Sequence, residues 1–240
     1  MITIDPKMSL GQLVAEQPGL ARTFEEMGFD YCCGGGATLA EAAAEHGLDP
    51  RTVAIVLEAE GRALDANSGE RDWREAPLAE LCDHIVSVHH SFLRRELPRI
   101  EALLEKVVPR HGEAVPTLSQ LQAEFKTLHA DLIEHIDREE EILFPLCRSL
   151  DGDRELDLEA MPQLGMHEAA HSNVGEALGR MRELAGGYDS SAALCTTHGV
   201  LLESLRGLER DLHQHIHEEN NVLFVRLRGS LGEAAAPVAG

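Results

Sequence analysis

The chain has 240 residues and a formal charge of −21, from 21 lysines and arginines against 42 aspartates and glutamates, so nucleic acid and anionic membrane surfaces are repelled rather than bound. That length suits one large domain, or a domain with a small appendage, and is enough to bury a sizeable core. Five cysteines, two of them adjacent, do not make a secreted disulfide framework, no basic segment leads an apolar run at the N-terminus, and no stretch of about 18 consecutive apolar residues occurs, so a cytoplasmic protein without membrane or nucleic-acid partners is expected.

Aromatic residues are few and strand-like alternation is absent, while Ala, Leu, Glu and Arg recur with helical periodicity, which predicts an all-α fold. Ser9 with Gln12 reads as a capping box for a short helix, and Pro18-Gly19 interrupts before a second helix ending near Met27. Tyr31-Cys32-Cys33-Gly34-Gly35-Gly36 is a loop by its glycines. Thr38 with Glu41 forms another capping box, and Asp49-Pro50 is an N-cap followed by proline at the first helical position. Residues 1–64 therefore read as a small bundle of short helices, 65–76 as a linker anchored by Trp73, 77–228 as an antiparallel four-helix bundle and 229–240 as a flexible tail. The four long helices are expected at about 77–107, 117–150, 158–185 and 190–228. Breakers separate them at Pro109 to Pro116, Asp151-Gly152-Asp153 and Gly186-Gly187.

Two segments of this bundle repeat one pattern, H-I-x-x-E-x-x-[IV]-L-F, at His135 to Phe144 and at His215 to Phe224. A histidine and a carboxylate four residues apart project from one helix face about one turn apart, as two ligands converging on a metal require. The apolar seam, followed in alternating steps of three and four, runs Leu128, Leu132, His135, Glu139, Ile142 in the second long helix and Leu208, Leu212, His215, Glu219, Val222 in the fourth. Both motifs thus put polar groups where core leucines belong, at a cost of roughly 1 to 3 kcal/mol each and more when charged, unless something compensates them. In the first long helix the seam Val86, His90, Leu93, Leu97 selects His90; in the third, Leu164, His167, His171, Val174 leaves His167 and His171 both eligible. The interval from His90 to the first motif histidine matches that from His171 to the second to within one residue, so the bundle reads as a duplicated helical hairpin in which each half supplies one His and then a His-x-x-x-Glu.

Four histidines and two carboxylates exceed the needs of one tetrahedral zinc and suit two metals. Imidazole with carboxylate favours iron, Glu139 and Glu219 can bridge, and an oxo or hydroxo bridge still leaves an open position for nitric oxide or dioxygen. His84, His89, His129, His213 and His217 lie off the seam and are expected at the surface. His167 and His198 lie on it, as core residues or in a supporting or access role. Cys82, Cys147 and Cys195 read as small core hydrophobes. Cys32 and Cys33 have α-carbons about 3.8 Å apart, short of the usual disulfide span of about 4.4 to 6.8 Å, so free thiols are expected, either structural or serving exchange, electron relay or contact with a partner's metal.

These features together resemble the repair-of-iron-centres family of di-iron proteins, in which Asp30-Tyr31-Cys32-Cys33-Gly34-Gly35 is similar to the hallmark of the N-terminal domain and the twin motifs to a hemerythrin-like C-terminal domain. The resemblance implies His90, His135, Glu139, His171, His215 and Glu219 as iron ligands, with both glutamates bridging, and selects His171 over His167. It implies repair of iron-sulfur clusters damaged by nitrosative or oxidative stress, by supplying iron or removing nitric oxide, with damaged iron-sulfur or cluster-assembly proteins as partners. Alternatives are a nitric oxide scavenger or reductase and a dioxygen carrier or sensor. The last is disfavoured because classical hemerythrin uses a fifth histidine and the second motif has none on its seam. Two departures stand out: Val225 follows Phe224 where Pro145 follows Phe144, and Ala170 precedes His171 where similar members can carry a carboxylate.

Overall fold

The computed structural model describes residues 4–65, 71–149 and 161–230. The described residues are helical and contain no strand; the only sheet-like pairing among them is an isolated bridge between Ser9 and Thr38. No described helix is long and apolar enough to cross a membrane. The chain divides into two compact units, Met1–Leu81 with Gln214–Gly240, and Cys82–His213.

In the first unit, α1 (Leu10–Glu16), α2 (Leu20–Met27), α3 (Leu39–Glu45) and α4 (Pro50–Asp65) form where the caps predict. Both capping boxes are present: Ser9 and Thr38 accept from the third residue of their helices, and Gln12 and Glu41 return the bond. Asp49 accepts from the Thr52 amide at 2.9 Å. Leu10, Leu13, Leu20, Phe24, Leu39 and Leu57 are buried, with α4 packed on α2 and α3. The C-terminal part of the unit holds a π-helical turn, Glu218–Leu223, and α11 (Phe224–Ser230). That turn packs on α1. Arg226 donates to the Trp73 carbonyl at 2.7 Å.

The second unit is built on α5 (Leu78–Ile85, entering at Cys82), a π turn Val86–His90, α6 (Ser91–His111), α7 (Thr117–Arg138), a π turn Glu139–Leu143, α8 (Phe144–Ser149), α9 (Met161–Leu184) and the start of α10 (Thr196–His217). Cross-helix pairs fix an antiparallel arrangement, because partner numbers fall on one helix as they rise on the other. Arg94 meets Asp137 and Glu101 meets His129 between α6 and α7; Glu124 meets Arg180 between α7 and α9; Arg99 meets Ser204 between α6 and α10. Leucines of the expected seams fill the core between them.

Two details differ from the periodic reading. The fourth helix begins at Thr196, because Gly186–Tyr188 and Ser190–Ala192 form 3-10 turns, with Gly187 in left-handed backbone at φ 70°. The seam also breaks after the first motif, whereas Val222 of the second is buried as expected. Ile142 is 48% exposed and Leu143 is buried, because the wider π turn sets later residues back by about one position. Asp151-Gly152-Asp153 and most of the expected tail lie outside the described residues.

Gly35 shows how closely the N-terminal loop is packed: a Cβ there would lie 2.6 Å from the Tyr31 carbonyl oxygen and 2.6 Å from Asn221 Oδ1. Gly35→Ala is expected to lower unfolding free energy by about 1 to 3 kcal/mol. Gly179→Ala, in mid-α9 with nothing within 4 Å of its added methyl, is expected to raise it by about 0.5 to 1 kcal/mol. Urea melts of both variants check this, and equal effects would contradict it.

Candidate metal centre

Each motif glutamate lies at the start of a π turn, first in Glu139–Leu143 and second in Glu218–Leu223. The Glu139 carbonyl accepts the amide of Phe144 and the Glu219 carbonyl that of Phe224, five residues on in both cases. The third π turn carries His89 and His90, both buried, in directions a regular helix would not give adjacent residues. His89 Nδ1 is 3.0 Å from Asp211, while the His90 ring stacks on Phe144 at 5.5 Å.

In the second unit four imidazoles converge on Glu139, which is fully buried. Its carboxylate lies 2.8 Å from His135 Nε2, 3.3 Å from His167 Nδ1, 3.5 Å from His90 Nε2 and 3.8 Å from His171 Nε2. His135 and His171 aim their Nε2 atoms at each other, 3.0 Å apart. Burial opposes ionisation of Glu139, but the His135, His167, His171 and His90 contacts outweigh it and hold the carboxyl well below the usual carboxylate range. Converging imidazole nitrogens beside a buried carboxylate make a donor set that fits a cation of the iron or zinc kind. Glu140 accepts from His90 Nδ1 at 2.8 Å and orients that ring, the usual support for a ligating imidazole.

A cleft of about 400 Å³ opens beside this group, lined by Asp131, Glu134, His135, Arg138, Ile142, Met166, His167 and Ala170. Ala170, the residue before His171, contributes only a methyl group to this lining. Val225 and Pro145 are both exposed within helices, so that exchange leaves the helical course intact.

In the first unit, His215 Nε2 lies 3.3 Å from Glu219 Oε1, and both residues are buried. The next turn faces protein as well: Glu218 and Asn220 are buried, whereas Arg138 and Glu141 of the first motif are exposed. Asn220 and Asn221 amides donate to the Cys32 carbonyl at 3.4 and 3.2 Å, and Asn221 also reaches the Tyr31 carbonyl at 3.2 Å. His217 meets the Tyr31 ring edge-on at 5.5 Å, and burial pushes its pKa down to about 4. Cys32 is buried and Cys33 half-buried, both as thiols; the hydrogen bond to Cys33 and then burial push the Cys32 thiol up.

Several expectations are corrected here. His89 and His217 are buried rather than surface residues, held by Asp211 and Tyr31, which come from distant sequence. Cys195 is exposed rather than in the core, with His111 Nε2 3.2 Å from its sulfur. Of the two roles the sequence left open for His167 the supporting one fits: its ring packs on His135 at 5.0 Å and is one of the four imidazoles beside Glu139. Its place on the α9 seam, one turn before His171, was the available signal.

Residues 83–227 match the family model described as hemerythrin HHE cation binding domain, and residues 6–60 match one described as a domain of unknown function, DUF542. Helical array and imidazole-carboxylate cluster together are those of a hemerythrin-type cation-binding protein. The chain is 36% identical over 217 residues, 90% of its length and 94% of theirs, to proteins named iron-sulfur cluster repair protein YtfE from Escherichia coli strains UMN026 and 536, and to the same extent to one from Escherichia fergusonii. It belongs to this family of iron-sulfur cluster repair proteins.

His198 lies apart from Glu139 in sequence and role: it is buried at the start of α10 and its Nδ1 accepts from the Leu194 amide at 3.1 Å. Burial, then the nearby His111, push its pKa down. The folded state therefore binds the proton less well than the unfolded chain, so this contribution to stability is complete above the ordinary imidazole value of about 6.5 and is lost as pH falls below it. His198→Asn, which keeps an acceptor and does not titrate, is expected to lose less stability between about pH 7.5 and pH 5 than the parent. Urea midpoints across that range with identical slopes would contradict it.

Proposed function

We propose that this is a non-haem di-iron protein that repairs iron-sulfur clusters damaged by nitrosative or oxidative stress, and that His90, His135, Glu139, His171, His215 and Glu219 hold two iron ions with the glutamates bridging. The observation that carries the reading is the fully buried Glu139 with imidazoles converging on it, a donor set that suits a cation in the bundle core. The assignment of His215 and Glu219 to the same centre is supported by the exact repeat of the motif, by their burial and by a family model that runs through both motifs. Domain limits of 1–64, 65–76, 77–228 and 229–240 accompany this reading, supported by the two matched models. The relatives' name supports damaged iron-sulfur proteins as partners, with cluster-assembly proteins as a further class, and the cysteine usage supports a cytoplasmic setting.

These imidazoles and carboxylates would hold iron with positions open to small diatomic molecules, and without thiolates they would release it readily to cysteine-rich acceptors. The chain's own contribution is to hold the imidazoles convergent, with Glu140 orienting His90, and to admit small molecules through the cleft beside His135.

The second reading is a nitric oxide or dioxygen binding protein whose iron stays in place. It is favoured by His167, which supplies the fifth imidazole that the second motif lacks, and by the cleft that reaches it. Metal analysis with an optical spectrum should give two irons per chain with oxo-bridged ferric bands, and His135→Ala or Glu219→Ala should lose them; one zinc per chain would refute the proposal. Iron-loaded protein is expected to restore activity to a nitric-oxide-damaged cluster enzyme while losing iron. Recovery without iron loss, or nitrous oxide release on anaerobic titration of the ferrous protein, would favour the second reading.

A further inference from the structure

The loop before α3 carries a second cluster of metal-binding groups, separate in sequence from the motif histidines. Cys32 Sγ and Cys33 Sγ are 3.9 Å apart, and Asp30 Oδ1 is 3.3 Å from Cys32 Sγ. One ligand atom from each of Asp30, Cys32 and Cys33 lies within 4.8 Å of the others. Metal–sulfur bonds of about 2.3 Å at a tetrahedral angle hold two sulfurs about 3.8 Å apart, so the thiols already stand at the span that one thiophilic ion requires. A disulfide would need that gap to close to about 2.05 Å.

The loop is organised before any ion arrives. Asp30 Oδ1 accepts the amides of Cys32 at 3.1 Å and Cys33 at 2.9 Å, which turns both sulfurs to the same side. From the other side Asn220 and Asn221 grip the Cys32 carbonyl, and Gly11 and Gly35 let Asn221 approach where any Cβ would collide. Ligands fixed in place lose little conformational freedom on binding, which favours affinity. Cys32 is buried, whereas Cys33 is half-buried and Asp30 exposed, so an ion enters from the Cys33 and Asp30 side.

We propose that Asp30, Cys32 and Cys33 form a second metal site, for one thiophilic divalent cation such as zinc or ferrous iron, with the fourth tetrahedral position open to water or to a ligand from outside the chain. Binding forms two metal–sulfur bonds and one metal–oxygen bond and releases two thiol protons to solvent, with no change of oxidation state. The site stands on the loop geometry alone and does not require the di-iron reading.

Cobalt(II) is the probe, titrated into the reduced full-length protein. A thiolate-to-cobalt charge-transfer band can arise only at cysteine, so imidazole-carboxylate ligation elsewhere does not contribute to it. The expected result is a band that saturates at one equivalent and vanishes in Cys33→Ser, while Cys195→Ser retains it. Asp30→Asn should keep the band and weaken cobalt binding about tenfold or more. Circular dichroism confirms that each variant is folded, and protection of two thiols from a disulfide reagent by zinc gives a second measurement independent of cobalt. No charge-transfer band in the parent, or an undiminished band in Cys33→Ser, overturns the site; unchanged affinity in Asp30→Asn overturns the carboxylate ligand.

Discussion

An ionised carboxylate enclosed by leucines is the constraint on which the bundle depends. Glu139 has no exposed surface, and stripping such a group of water costs several kcal/mol even after the protein relaxes. His90, His135, His167 and His171 meet that cost by aiming ring nitrogens at it from three helical segments. Each has to arrive at the correct height and rotation, so helix register in this unit answers to Glu139 as much as to the apolar seam. Ion pairs such as Arg94–Asp137 and Arg180–Glu124 keep that register at the surface, where they add little stability individually.

The π turns are the local device that makes this possible. A regular helix turns successive side chains by about 100°, so neighbouring residues point in different directions. Widening one turn at Val86–His90 buries His89 and His90 together and frees one for Asp211 and the other for Glu139. The same widening after Glu139 and after Glu219 spends the glutamate carbonyl on a phenylalanine five residues on, which accounts for the constant spacing of the E-x-x-[IV]-L-F motif. Such turns are tolerated where function gains from the reorientation.

The two motifs are alike in sequence but have different surroundings. Around the first, Arg138, Glu141 and Ile142 are exposed and a cleft lies beside His135. Beyond the second, His217, Glu218 and Asn220 are buried, and the asparagines hold the cysteine loop by its carbonyls.

The sequence by itself determined the all-α fold, both capping boxes, the Asp49 cap and the His-x-x-x-Glu pairs, because these rest on contacts within one turn or on a period that any helix must show. It also ranked His90 as inward-facing from its apolar stripe, and His171 from the matched spacing of the two halves, where the stripe alone left His167 equally eligible. Only the tertiary structure decided the burial within the first motif's π turn, where one extra residue exposes Ile142 and buries Leu143. It alone decided the burial of His89 and His217, whose partners Asp211 and Tyr31 lie more than a hundred residues away, and the exposure of Cys195. Periodicity reports the side of a helix that is apolar, not what another segment lays over its polar side. His167 falls between the two cases: its seam position is visible in the sequence, but its approach to Glu139 depends on how closely α7 and α9 pack.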